Sequence, residues 1–307
     1  MCEAVAIGVE IGGTTISVGL VRESGRIEQR RVFPTEPERG FAEAMEKIAR
    51  AIDELLKSAQ CGRQELAGLG IGCAGPVNPV TGTIHNPFTL PGWEGANPVS
   101  VLGERFGVSA HLENDADAAV LGEACAGSAR SLREVVMLTF GTGVGGGALV
   151  GGRVYRGVNG EHPEIGHIPV DPEGPECYCG MRGCLESVAS GTALTKAGQV
   201  EGFADAAEVF ERAGTGDEAA SLLVDRAILA VASAFWTILH TFMPQMVVFG
   251  GGLMERQFER FVPALREKVR LAERAWGQRF EFSRAELGND AGVVGAAFRA
   301  IRGDALR

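Results

Sequence analysis

Three cysteines fall in one eight-residue block, Cys177-Tyr178-Cys179-Gly180-Met181-Arg182-Gly183-Cys184, and His167 lies ten residues upstream of it. One imidazole and three soft thiolates make a Cys₃His donor set of the kind that holds Zn²⁺ tetrahedrally. With His167, Cys177, Cys179 and Cys184 filling all four positions, the metal would be structural rather than catalytic. Glu164 stands three residues before the histidine and Glu186 two after the last cysteine. A rigid metal loop would thus aim two carboxylates at the hydroxyls of a sugar.

Three glycine turns each follow an apolar run: Gly12-Gly13-Thr14, Gly141-Thr142-Gly143 and Gly250-Gly251-Gly252. Glycine lets backbone N–H groups approach a phosphate closely, and a threonine hydroxyl adds a donor. Any one of them also reads as a plain sharp turn; the recurrence favours phosphate. A P-loop is excluded, because no Gly-x-x-x-x-Gly-Lys-[Ser/Thr] occurs and Lys47, Lys57, Lys196 and Lys268 all lie outside the turns. Glu113-Asn114-Asp115-Ala116-Asp117 follows another apolar run and opens a helix. As a cap with an acidic first turn it would satisfy orphan helix N–H groups. The same placement suits Asp115 as a general base taking a hydroxyl proton in phosphoryl transfer, with Asn114 gripping a neighbouring hydroxyl.

The elements that must position these groups alternate between strand and helix. Val5–Ile11 reads as a buried strand, 12–15 as a tight turn and 16–21 as a returning strand. A helix follows over about 40–60, then strands at Leu66–Cys73 and 108–112, with a Gly/Pro/Asn-rich functional loop over 78–97 between them. Helices are expected near Pro98–Phe106 and from Asn114 to about Ala126. Val135–Phe140, a glycine turn and Val144–Val150 then repeat the opening strand–turn–strand, which points to a duplicated α/β architecture. Helices over 219–242, 255–275 and 291–302 and a strand over 246–249 complete the chain. The domain boundary is placed near residue 116: 1–116 with 291–307 form the first domain, and 117–290 the second, with the metal loop.

With 39 acidic and 29 basic residues the 307-residue chain carries a net charge of −10, which argues against a nucleic-acid partner. Glu10 and two glycines interrupt the first apolar stretch, so no signal peptide is expected; the apolar run 227–239 falls short of the roughly 20 residues of a membrane span. Unpaired, metal-type cysteine usage points to a reducing, cytoplasmic setting. Glycine is in excess, 44 of 307 residues, about twice the ordinary share of roughly 7%. Much of it sits in the phosphate-type turns, the loop and the cysteine block.

Together these motifs resemble the ROK family (repressors, open reading frames, kinases), in the group of bacterial glucokinases. The resemblance runs from Glu10-Ile11-Gly12-Gly13-Thr14 through Glu113-Asn114-Asp115-Ala116 to Gly141-Thr142-Gly143-Val144-Gly145-Gly146-Gly147 and Glu164-Ile165-Gly166-His167. It continues over Cys177–Glu186 and Ser190-Gly191-Thr192 to Gly250-Gly251-Gly252. It implies an actin-like, ribonuclease-H-type fold of two α/β domains with a cleft between them, and ATP- and Mg²⁺-dependent transfer of a phosphoryl group to a sugar, usually at O6. It implies that Gly12, Gly13, Thr14, Thr142 and Gly143 hold the phosphates, that Gly251 and Gly252 flank the adenosine, and that Glu10 faces Mg²⁺ or its waters. Asp115 would be the base, and Gly75, Asn114, Asp115, Glu164, His167 and Glu186 would meet the sugar. His167 would hold zinc by one ring nitrogen and donate to a hydroxyl by the other.

Three departures from the family pattern stand out. Glu10 replaces the usual Asp. His162-Pro163 replaces the common Ala-Gly, a form associated with fructokinase-like members. Thr89 stands where Asn is frequent, with Asn86 close enough to substitute. Glucose leads the expected substrates; fructose, mannose, amino or N-acetylated sugars and a cyclitol are the alternatives, and a homodimer is expected. In a different class, a non-catalytic sugar-binding regulator would share the sugar and zinc motifs. A repressor of the family would need a helix-turn-helix ahead of the first strand, which here starts at Val5. A dead relative would not be expected to keep Asp115 together with the phosphate turns.

Overall fold

The computed structural model describes residues 3–303; Met1-Cys2 and the last four residues, on which parts of the leader and domain expectations fall, lie outside them. In chain order the first strands are β1 (Val5–Ile11), β2 (Thr15–Arg22) and β3 (Ile27–Pro34), followed by α1 (Phe41–Ala59) and β4 (Leu66–Cys73). A two-residue ladder, β5 (Val77–Asn78) with β6 (Thr83–Ile84), lies in the Gly/Pro-rich loop. Then come α2 (Pro98–Phe106), β7 (Ala110–Asn114), α3 (Asp115–Ala126), β8 (Val135–Phe140), β9 (Val144–Val150) and β10 (Arg153–Val154). Helices α4 (Leu185–Ala189), α5 (Gly191–Val200), α6 (Ala206–Gly214) and α7 (Glu218–Thr241) lead to β11 (Met246–Gly250), α8 (Gly252–Trp276), β12 (Glu281–Arg284) and α9 (Ala291–Arg302).

The expected duplication is visible in the sheets: one has the order β3-β2-β1-β4-β7, the other β10-β9-β8-β11-β12. In the first, β1 runs antiparallel to β2 and parallel to β4, and β4 parallel to β7. β3 is not expected from the sequence because, as an exposed edge strand carrying Arg30 and Arg31, it has no apolar run; its pairing with β2 makes it a strand.

The chain divides into two compact units. The first comprises residues up to Val135, Gly147–Pro163 and Glu286 onward; the second comprises Val136–Gly146 and Glu164–Ala285. Helix α3, assigned by the sequence expectation mostly to the 117–290 domain, packs against α9 in the first unit.

In the first unit α1 presents Met45, Ile48, Ile52 and Leu55 to one face of the sheet, at helical spacing. Helix α9 covers the other face through Val293, Val294, Ala297 and Phe298. That packing is backbone-close. A Cβ at Gly70 of β4 would lie 1.6 Å from the Ala296 carbonyl oxygen, and one at Gly295 of α9 would lie 1.7 Å from the Ala118 carbonyl oxygen of α3. Buried Glu123 then staples the segment before α9 to α3, accepting from the Glu286 and Leu287 N–H groups at 3.1 and 2.8 Å.

In the second unit Phe249 of β11 is the aromatic hub, with Phe140, Phe235 and Phe258 at ring distances of 6.4, 5.7 and 5.9 Å. By length and composition α7 passes as a membrane span. It is nonetheless packed as a core helix, with Ala227, Val231, Phe235 and Ile238 buried and α4, α6 and α8 against it.

Gly295→Ala should force α3 and α9 apart and cost about 1–3 kcal/mol, the usual range for overpacking. An unchanged urea midpoint would show that the helices do not touch at this point.

Candidate functional site

In the first unit the β1–β2 turn is closed by the Gly12 N–H donating to the Thr15 carbonyl at 2.9 Å. It is braced from β3's end, where the Thr35 hydroxyl donates to the Gly12 carbonyl at 2.7 Å. Thr89 packs on Gly13, where a Cβ would lie 3.1 Å from the threonine's own. Asn86 is 1% exposed and spent on its loop: Oδ1 accepts from the Phe88 and Thr89 N–H groups at 3.0 Å, and Nδ2 donates to the Ala74 carbonyl at 3.1 Å and to the Thr89 hydroxyl. The expectation that Asn86 stands in for a ligand at 89 is therefore corrected, because its polar atoms already hold the backbone.

At the end of β7, Asn114 caps α3, its Oδ1 accepting from Ala116 and Asp117 N–H groups at 2.8 and 3.3 Å. Its Nδ2 faces the chain at Gly75, where a Cβ would lie 2.7 Å away. Asp115 Oδ1 accepts from the Ala116 N–H at 2.9 Å. The capping account is thus present in the geometry, and it leaves the amide nitrogen of Asn114 turned toward Gly75.

Glu10, at the end of β1, lies against the start of α9; a Cβ at Gly292 would be 2.6 Å from its carboxyl carbon. Burial pushes its pKa up to about 7, the charge of Asp115 adds to the rise, and Arg30 opposes it. Glu10 and Asp115 are therefore an interacting carboxylate pair.

Beneath this corner lie charges that the sequence does not announce. Fully buried Glu113 is held by two guanidinium groups, Arg156 on Oε2 and Arg299 Nε on Oε1 at 2.6 Å. Asp117, 2% exposed, has its pKa pushed up to about 7, chiefly by burial. Glu113 and Asp115 add to that rise, and His162 and Arg156 oppose it. The only signal in the sequence is the density of carboxylates around Asp115; their partners lie 43 and 186 residues from Glu113.

In the second unit Gly141 donates to the Gly143 carbonyl at 2.9 Å, and the start of α5 docks on the turn through Gly191 N–H to Gly141 O at 2.8 Å and Thr192 N–H to Thr142 O at 3.3 Å. Glu186 Oε2 accepts from the Val144 N–H at 2.8 Å and fills the space over Gly143, where a Cβ would lie 2.4 Å from that oxygen. One carboxyl oxygen of Glu186 thus fixes the glycine turn. The third turn meets the second: Gly251 has φ 84°, and a Cβ there would lie 2.4 Å from the Phe140 carbonyl oxygen. It also opens the 25-residue helix α8 without any side-chain cap.

The donor atoms of His167, Cys177, Cys179 and Cys184 all lie within 4.8 Å of one another. His167 Nδ1 is 3.4 Å from Cys177 Sγ, and Cys179 and Cys184 sulfurs are 3.6 Å apart. Tetrahedral bonds of roughly 2.0–2.3 Å separate such donors by about 3.5–3.8 Å, so the set fits zinc. The loop is folded by bridges between Pro169 and Cys184 and between Glu176 and Arg182, and an Asp171–Arg226 ion pair at 2.7 Å ties it to α7. His167 Nε2 points away from the sulfurs toward the Tyr178 hydroxyl at 3.1 Å and Glu164 Oε2 at 4.0 Å. Tyr178, a mere spacer in the cysteine motif, thus meets the ring nitrogen assigned to a sugar hydroxyl.

Two sheets of matching strand order, each with a glycine turn between its first two strands, define an actin-like, ribonuclease-H-type fold. The ROK family profile matches residues 6–302, and the chain belongs to the ROK family. It is 37% identical to a glucokinase of Thermotoga maritima, over 95% of each chain. It is also 34% identical to an N-acetylmannosamine kinase of Escherichia coli O157:H7, over 96% of this chain and 97% of that one. The crystal structure of a ROK hexokinase from Thermus thermophilus superposes with a TM-score of 0.85 at 34% identity, covering 95% of this chain and 96% of the other.

The buried acid carries a pH prediction. Between about pH 4 and pH 7 the folded protein retains a proton on Asp117 that the unfolded chain has released, so this group's contribution to stability falls as pH rises through that window. Asp117→Asn removes that dependence. The variant's stability relative to wild type should grow from pH 5 to pH 8 by on the order of 2 kcal/mol, because each tenfold change in proton affinity is worth about 1.4 kcal/mol. Urea midpoints at both pH values check this, and a constant gap would contradict the buried charge.

Proposed function

We propose that this ATP-dependent sugar kinase acts on a hexose, glucose first, and phosphorylates its O6 hydroxyl with Asp115 as general base. The observation that carries the reading is the corner at the end of β7, where Asn114 and Asp115 are fixed at a helix start with the Asn114 amide turned toward Gly75. The glucokinase, N-acetylmannosamine kinase and hexokinase relatives support the same class of reaction. They differ in the sugar their names carry.

In the proposed mechanism Gly75, Asn114, Glu164, His167 and Glu186 hold the sugar hydroxyls. Asp115 accepts the proton of the attacking hydroxyl as its oxygen bonds to the γ-phosphorus and the bond to the β-phosphate oxygen breaks. Orientation of this kind can supply roughly 7–11 kcal/mol of the barrier. The nucleotide's phosphates are met by backbone N–H groups of Gly12, Gly13, Thr142 and Gly143 and the Thr14 hydroxyl. Gly251 and Gly252 flank the adenosine at the uncapped start of α8, an end that favours anions. Glu10 fits the role of facing Mg²⁺ or its waters, because the mutual repulsion of Glu10 and Asp115 is the kind a divalent cation relieves. When bound, Mg²⁺ neutralises charge on the phosphates.

Zinc on His167, Cys177, Cys179 and Cys184 is part of the same reading: it would stiffen the loop that leads into α4 and so into Glu186. Its thiolates suit a reducing compartment, and a cytoplasmic setting belongs to the proposal.

Asp115→Asn should keep sugar binding and the unfolding midpoint while losing about 10²–10⁴-fold in turnover, the span of general-base catalysis. A coupled ADP-release assay over a small sugar panel measures this and reports the preferred sugar; near-normal kcat would sink the base assignment. Elemental analysis of protein purified without added metal should find one zinc per chain. Cys177→Ser should lose both the metal and sugar affinity, and zinc-free wild-type protein with full activity would refute the role of the loop.

A further inference from the structure

Two side chains converge on the backbone at Gly75. A Cβ there would lie 2.7 Å from Asn114 Nδ2 and 3.2 Å from His162 Nε2, with His162 Cδ2 at 3.8 Å. The imidazole edge and the carboxamide thus flank a single residue just past β4, and both Gly75 and His162 are only half-buried. Behind it lies Asp117, in the first turn of α3, 2% exposed and with no hydrogen-bond partner for its Oδ1. The charged groups around Asp117 are His162, Glu113, Arg156 and Asp115. Of these, His162 and Arg156 oppose the rise in its pKa.

Resting on the proposed sugar-kinase reading, we propose that His162 is a specificity-determining residue: its Nε2 and Asn114 Nδ2 bind one sugar hydroxyl beside Gly75. The side chain fills the room over Gly75, so the site selects a hexose with an unsubstituted hydroxyl there over one carrying an N-acetyl group.

The test compares wild type, His162→Ala and His162→Gln on glucose, mannose, fructose, N-acetylglucosamine and N-acetylmannosamine, with unfolding midpoints measured alongside. Loss of a hydrogen bond to a substrate hydroxyl is worth about tenfold or more. His162→Ala should therefore raise KM for the best sugar at least about tenfold, with kcat nearly unchanged, and should shift kcat/KM toward the N-acetylated sugars. His162→Gln, which keeps a donor, should recover part of the KM. The proposal is overturned if wild type turns over a sugar and His162→Ala leaves every KM and the sugar order unchanged. It is equally overturned if kcat falls for all sugars alike while their order stays fixed. Wild type that phosphorylates none of the five sugars removes the kinase reading itself, and this inference with it.

Discussion

The close approach of α9 is the constraint on which the first unit depends. Two helices and a sheet touch through backbone at Gly70 and Gly295, with no side chain to cushion the contact. Interiors pack at crystal-like density, so a helix seated this way has little freedom to slide. Three chemically relevant groups take their positions from that seat. Glu10 lies over Gly292 at the start of α9, Glu113 is held by Arg299 from its later turns, and α3, which carries Asp115 in its first turn, crosses it at Ala118. The geometry of the proposed base thus follows from where a C-terminal helix can come to rest.

The second unit solves a similar problem with polar contacts. The turn 141–143 has no side chains of its own to hold it beyond Thr142, and it is fixed from outside by Glu186, Gly191 and Thr192. Those residues follow directly on Cys184, so the cysteine loop and the glycine turn form one mechanical unit. A metal that stiffens the loop would also stiffen the turn. Glu186 performs this fixing with one oxygen, on the Val144 N–H, and a carboxylate has a second acceptor oxygen for the sugar hydroxyl proposed for it.

The local motifs were legible in the sequence because their information is local. Strand, glycine turn and strand at 5–21 and 135–150, the cysteine spacing and the Asn114-Asp115 cap all announce themselves within a dozen residues. What escaped depends on distant partners. Glu113 reads as one more acid of a helix start until Arg156 and Arg299 arrive from elsewhere in the chain. Gly122 and Gly295 are the places where α3 and α9 meet, a role that only the packing of the two helices reveals. Strand β3, polar and exposed, exists because β2 offers it a ladder. The glycine excess therefore has a second cause besides the turns, since part of it is spent on helix packing.

The acidity of the chain takes on a specific meaning around Asp115. The proposed base must not be neutralised by its own surroundings, yet its charge acts on both Glu10 and Asp117. Glu113 is quenched by two arginines, which leaves a surplus positive charge in the same buried cluster. Asp117 and His162 then adjust that surplus from the other side. Low dielectric makes each of these interactions larger than it would be at the surface. The charges that act on Asp117 thus come from two stretches of sequence, 113–115 and 156–162, which only the fold brings together.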